Sequence, residues 1–236
     1  MNAPLPTLLV PGLAATARLY QAQIPALWQF GAVMVADHRR DDSIGAIARR
    51  ILDQAPARFS LLGLSMGGYI AFELLRQAPG RVARLALLDT TARPDAPLQS
   101  ARRRELIELA RAGRFGEIAD LSYAGLVHPD HLADQSLREL VRCMAQETGA
   151  EAYIRQQTAI INRPDSRADL AAIGCPTLVL VGEADQLTPP ALAQEIAAGI
   201  RGAQLTLVPA SGHLSTLEQP QRVNAALGEW LGAADG

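Results

Sequence analysis

Phe59-Ser60-Leu61-Leu62-Gly63-Leu64-Ser65-Met66-Gly67-Gly68-Tyr69-Ile70-Ala71-Phe72-Glu73-Leu74-Leu75 is the stretch that decides the fold of this chain. Its first four residues form a short apolar run of the kind that makes a buried strand. Its last seven carry an apolar stripe at helical spacing. Between them stands Gly-x-Ser-x-Gly, with Ser65 flanked by Gly63 and Gly67. A strand that turns directly into a helix brings backbone against backbone, so side chains at the two flanking positions clash and glycine is favoured. The turn lifts Ser65 above the strand ends. Its neighbouring N–H groups lie at a helix N-terminus, where developing negative charge is favoured. The pentapeptide alone also fits a solvated turn; the strand before it and the helix after it point to a serine presented as a nucleophile.

Working outward, six short apolar segments read as strands: residues 8–10, 32–36, 59–62, 85–88, 177–181 and 205–208. Stretches with helical spacing follow most of them, at 44–52, 69–76, 191–200 and 222–231. Apolar strands alternating with amphipathic helices predict an α/β fold, a parallel sheet covered on both faces with right-handed crossovers. The alternation fails once. Between residues 88 and 177 no strand is evident, and 101–112, 115–121, 137–148 and 150–161 read as helices. Arg93-Pro94-Asp95-Ala96-Pro97 leads out and Asn162-Arg163-Pro164-Asp165 leads back, both proline-bearing hinges. The expectation is a helical cap over 99–161, carried on a core built from 1–98 and 162–236. The run Arg102-Arg103-Arg104 within it reads as a solvated helix face.

Composition narrows the chemistry. A chain of 236 residues with 49% hydrophobic and 19% charged residues is globular and can bury one α/β core. A formal net charge of −2 gives no electrostatic reason to expect nucleic acid or an anionic membrane as partner. All 22 basic residues are arginine, which excludes Schiff-base lysine chemistry and the phosphate-loop lysine of P-loop NTPases. Cys143 and Cys175 form no disulfide framework and read as core filler in a reducing compartment. No basic segment followed by an apolar run opens the sequence, and no apolar run is long enough to span a bilayer, so the expectation is a cytoplasmic protein.

A serine attacks only when a base takes its proton and a third group orients that base. Four histidines are available. His213, in Ala210-Ser211-Gly212-His213-Leu214, follows the last strand, where it can reach over the serine. His38 is flanked by Arg39, Arg40, Asp41 and Asp42, which predicts a wet loop. His128 and His131 bracket Pro129-Asp130 and read as surface residues, with no further metal ligands beside them. For the acid, Asp185 follows the strand at 177–181; Glu183 and Asp89 are its rivals.

With these residues in view the chain resembles the α/β-hydrolase superfamily nearly end to end. The order Ser65, Asp185, His213 matches that family's serine–acid–histidine order. The resemblance implies an acyl-enzyme mechanism with no metal or organic cofactor. It also implies an oxyanion hole from the backbone N–H groups of Leu13 and Met66. Leu13 lies in Val10-Pro11-Gly12-Leu13-Ala14, where many relatives carry a His-Gly pair. The antiparallel hairpin that opens many family members is missing, which implies about six strands.

The expected substrate is a small or medium apolar carboxylic ester, held between this loop, the serine turn and the cap. Ala14, Leu126, Met144 and Leu214, with Leu13, Ala15 and Met66, form the expected apolar lining. The same three side chains also serve lactone or C–C bond hydrolysis, perhydrolysis or a lyase reaction, and a ligand receptor without turnover shares the fold. The only partner expected is a small molecule.

Overall fold

Strands that are apolar on both faces require cover on both faces, and these receive it. The computed structural model describes residues 4–232. In it β1 (Thr7–Val10), β2 (Val33–Val35), β3 (Phe59–Leu64), β4 (Val82–Leu88), β5 (Thr177–Gly182) and β6 (Gln204–Val208) form one sheet. The strand order is β2-β1-β3-β4-β5-β6 and every neighbouring pair is parallel. β1, β3, β4 and β5 are buried along their whole length, whereas β2 and β6 form the partly exposed edges.

Alternation along the strands sorts the core into two layers. Leu8, Val10, Leu61, Leu85, Leu87, Val179 and Val181 face α2 (Ile44–Gln54), α3 (Met66–Gln77) and α8 (Pro190–Gly199). Leu9, Leu62, Leu64, Ala86, Leu88, Leu178 and Leu180 face the opposite way, toward α1 (Gln23–Leu27), α9 (Ser215–Glu218) and α10 (Pro220–Gly232). Helix α2 shows how locally the sequence specifies this. Ser43 caps it by accepting from Ala46 N at 3.2 Å, and Ile44, Ile47, Ala48 and Ile51 make its buried face.

Between β4 and β5 the chain makes four helices: α4 (Pro97–Leu109), α5 (Phe115–Leu126), α6 (Gln135–Thr148) and α7 (Ala150–Ile161). Gly113 and Gly149, both at φ +79°, supply the breaks before α5 and between α6 and α7. Tyr123, Val141, Met144 and Ala145 of α5 and α6 join the second core layer, so apolar packing is continuous from the sheet into the insertion.

Three expectations need correction. β4 begins three residues earlier than its apolar run, because Arg84 is buried in it and donates to Trp230 O at 2.9 Å. Arg103 is not on a solvated face; it turns inward to Asp95 at 2.7 Å and Gln157 at 2.9 Å. Cys143 is only half-buried and its Sγ lies 3.7 Å from the exposed Glu147 carboxylate, so it does not fill the core. No helix among the described residues is long and apolar enough to cross a membrane.

Candidate active site

The site begins with backbone packing at the serine turn. A Cβ on Gly63 would strike the carbonyl of Gly67, and one on Gly67 would strike the carbonyl of Val10. Gly68 is required as well, since a Cβ there would collide with the side chain of Thr90. Ser65 itself sits at φ 54°, ψ −114°, a conformation that costs a non-glycine residue on the order of 1–3 kcal/mol. Neighbouring groups hold it there: Ser65 N donates to Leu88 O at 2.9 Å, and Thr90 Oγ1 donates to Ser65 O at 2.8 Å. Met66 opens α3, so its N–H is one of the helix's orphan donors.

The residues beyond three neighbouring strands step along one edge of the sheet. Ser65 follows β3, Asp89 follows β4 and donates its N–H to Leu180 O, and Glu183 follows β5 and donates to Val208 O. Asp185 and His213 belong to loops at this same carboxyl edge, where ligands bind in open α/β sheets.

His213 and Asp185 form a buried pair. His213 Nδ1 lies 2.8 Å from Asp185 Oδ2, with the side chains 4% and 0% exposed. Asp185 also accepts from Leu187 N at 2.9 Å, Thr188 N at 3.0 Å and Thr188 Oγ1 at 2.7 Å. Burial opposes charge on Asp185, but the adjacent imidazolium and these donors hold its carboxyl below the usual range. Burial likewise opposes the charged form of His213; the Asp185 carboxylate outweighs it and carries the imidazole above its ordinary value. The pair therefore fixes the Nδ1–H tautomer and leaves Nε2 as the basic nitrogen.

Glu218, which the sequence reading passed over, holds the loop that carries His213. Its side chain is fully buried; Oε1 accepts from Gly212 N at 2.9 Å and Leu214 N at 3.3 Å, on either side of His213. Oε2 accepts from His128 N at 2.6 Å and faces His131 Nδ1 at 2.9 Å. His213 N donates to Leu126 O at 2.8 Å. His128 and His131 are thus not free surface residues: they tie the end of α5 to the His213 loop. The available signal was a lone carboxylate among Leu214, Leu217 and Val223.

The turn after β1 is fastened just as specifically. Ala14 N donates to Gln156 Oε1 at 3.0 Å and Ala15 N to Gly12 O at 3.3 Å, which fixes the backbone that follows the Leu13 N–H. His38 is buried, not wet: its Nε2 lies 2.9 Å from Gly12 O and 3.1 Å from Gln156 Nε2. The charges beside it pair elsewhere, Arg39 with Asp37 and Arg50 with Asp41, which lets the ring turn inward. Burial lowers the pKa of His38 below the ordinary imidazole value.

The model of the family described as "Alpha/beta hydrolase family" matches residues 7–226. The chain belongs to the alpha/beta hydrolase family. An esterase from Thermogutta terrifontis is 32% identical with a TM-score of 0.87, over 98% of this chain and 90% of that one. The enol-lactonase of Burkholderia xenovorans LB400 is 25% identical with a TM-score of 0.89, over 99% and 93%. A relative from Variovorax paradoxus, bearing the provisional name carbamate hydrolase RutD, is 29% identical over 95% of this chain and 90% of its own length.

In this hydrolase the rival acids occupy other positions. Glu183 is exposed. Asp89 is fully buried, accepts from Gly182 N at 2.9 Å and from Ser215 Oγ, and has φ +45°. Burial, reinforced by the nearby Asp185 charge, pushes its carboxyl up to about 8. Among the expected lining residues, Leu13, Ala14 and Leu126 are half-buried, and Leu13 and Ala14 pack against Ala110, Ile118 and Tyr153. Met66, Met144, Ala15 and Leu214 are packed into the core.

Proposed function

We propose that this hydrolase cleaves a carboxylic ester through an acyl-enzyme, with Ser65 as nucleophile, His213 as base and Asp185 as the orienting acid. The observation that carries this is the strained Ser65 turn at the sheet edge that also bears the buried His213–Asp185 pair. His213 Nε2 takes the serine proton as Oγ attacks the carbonyl carbon, and the resulting imidazolium is stabilised by Asp185. The N–H groups of Leu13 and Met66 receive the oxyanion; losing one such donor costs about 3 kcal/mol of transition-state stabilisation. Collapse expels the alcohol with the proton from His213. A water activated by the same imidazole then releases the acid and restores Ser65.

The helices over 97–161 act as the cap of this site. The half-buried Leu13, Ala14, Leu106, Leu109, Phe115 and Leu126 favour an apolar acyl chain near the reacting centre. Likeness to the Thermogutta terrifontis esterase supports the ester reading. A second reading, hydrolysis of a lactone by the same residues, is favoured by the likeness to an enol-lactonase. Hydrolysis of p-nitrophenyl esters of increasing acyl length tests the assignment. Activity lost in Ser65→Ala supports it, and activity retained in that variant defeats it.

A further inference from the structure

A chain of hydrogen bonds with a forced direction runs from Asp95, in the segment that leads into the insertion, to Tyr153 of α7. Arg103 is donor-only; its Nε binds Asp95 at 2.7 Å and its Nη1 donates to Gln157 Oε1 at 2.9 Å. With its oxygen thus assigned, Gln157 presents its NH₂ group to Tyr153 OH at 2.6 Å and donates. The Tyr153 oxygen is therefore used as an acceptor and its proton must be given elsewhere. Among the described residues neither that proton nor the second N–H of Gln157 makes a further hydrogen bond. Both residues are buried, Tyr153 at 2% and Gln157 at 1% exposed. Two donors 2.6 Å apart and hidden from water are an unfilled demand for an acceptor, since an unsatisfied buried donor costs about 1–3 kcal/mol.

The charge behind these donors says which acceptor. Asp95 is shared by Arg103 and by the buried Arg163, whose Nη1 lies 2.6 Å from it, so two guanidinium groups face one carboxylate. Arg163 also stacks over the ring of Tyr69 at 4.2 Å, one turn beyond Ser65 on α3. The cluster's net positive charge favours an anion at the free ends of Tyr153 and Gln157. Tyr153 stays protonated, because burial raises its pKa.

The location relates this demand to the reacting centre. Tyr153 belongs with Ala110 and Ile118 to the cluster against which Leu13 and Ala14 pack. One turn further along α7, Gln156 binds Ala14 N. Half-buried Leu106, Leu109 and Phe115 surround the cluster, with the Phe115 ring 5.2 Å from that of Tyr153.

Resting on the ester reading above, we propose that Tyr153 and Gln157 form a carboxylate subsite, so that the substrate is an ester bearing a second, free carboxylate across a short apolar spacer. The reaction that supplies it then makes a half-ester or lactone of a dicarboxylic acid, and the one that follows consumes the diacid.

The test compares p-nitrophenyl hexanoate with the p-nitrophenyl half-ester of adipic acid in wild type, Tyr153→Phe and Gln157→Leu. Wild type is expected to prefer the half-ester. Tyr153→Phe is expected to lose roughly tenfold in kcat/KM on the half-ester, mainly through KM, the size of a lost hydrogen bond to a charged group, with hexanoate unchanged. Equal turnover of the two esters by wild type, or equal losses on both in the variants, overturns the subsite while leaving the Ser65 assignment intact. Calorimetric binding of adipate and hexanoate needs no turnover and separates the two failures. Adipate binding that is weakened by Tyr153→Phe supports the subsite even if no ester is cleaved. Adipate binding that matches hexanoate, or ignores the substitution, overturns it.

Discussion

Glu218→Ala removes the carboxylate on which the His213 loop hangs, and its cost follows from four contacts. Gly212 N, Leu214 N, His128 N and His131 Nδ1 lie 2.9, 3.3, 2.6 and 2.9 Å from its oxygens. The carboxylate is fully buried, whereas His131 is 25% exposed and can turn to water. That leaves three backbone donors stranded, at about 1–3 kcal/mol each, with the long Leu214 contact contributing least. Water entering the vacated volume recovers part of this, so the expected loss is about 3–5 kcal/mol, comparable to breaking a buried charged network. For a chain of this size that lowers Tm by on the order of 10 °C. Because Gly212 and Leu214 flank His213, kcat should also fall, roughly 10–100-fold for a misplacement near 1 Å, with KM little changed. Glu218→Gln recovers only part, since its amide nitrogen meets donors where an oxygen stood. Urea denaturation and ester hydrolysis read the two effects. A loss below about 1 kcal/mol with kcat intact would show that Glu218 does not hold this loop, because four contacts to a buried carboxylate cannot be that cheap.

Asp185→Asn should keep the fold, since an amide oxygen still accepts from Leu187 N and Thr188 N. It should lower kcat on the order of 10³–10⁴-fold by imposing the wrong His213 tautomer. Wild-type kcat/KM should rise with pH through a midpoint above 6.5, because the base must be neutral and the Asp185 carboxylate outweighs burial and raises its pKa; a midpoint below 6.5 would contradict the pairing. Asp89 has a folded pKa raised to about 8, so its contribution to stability is full below pH 4 and is lost as pH rises toward and through 8. Asp89→Asn should therefore flatten the decline in urea midpoint between pH 5 and pH 9, and an unchanged slope would sink that account. Gly67→Ala should abolish soluble folded protein, since its Cβ meets the Val10 carbonyl; a variant with wild-type Tm would show that the turn is not that tight.

The parts of the molecule that could be read from sequence are those governed by local periodicity and by backbone clearance. Strands β1, β3 and β5 each carry a short apolar run at their centre, and Gly63 and Gly67 are required by carbonyls a few residues or one strand away. What stayed hidden depends on partners far apart in the chain. Arg84 reads as a break in an apolar strand until Trp230 O, 146 residues later, accepts its proton. His38 reads as wet because its neighbours are charged; only Gly12 and Gln156 explain why it is buried. Glu218 and Arg103 look like ordinary helix-surface charges, and their roles come from loops that the fold brings to them. Asp185 was separable from Glu183 and Asp89 only by geometry, because all three follow strands at the same edge and one alone bonds His213.

The nucleophilic role of Ser65 is tested covalently: treat the folded protein with a fluorophosphonate and locate the adduct by intact mass and peptide mapping. One adduct per chain is expected on Ser65, absent in Ser65→Ala and formed far more slowly in His213→Ala. Ester hydrolysis that persists with no adduct on Ser65, or with the adduct on another residue, would contradict that role.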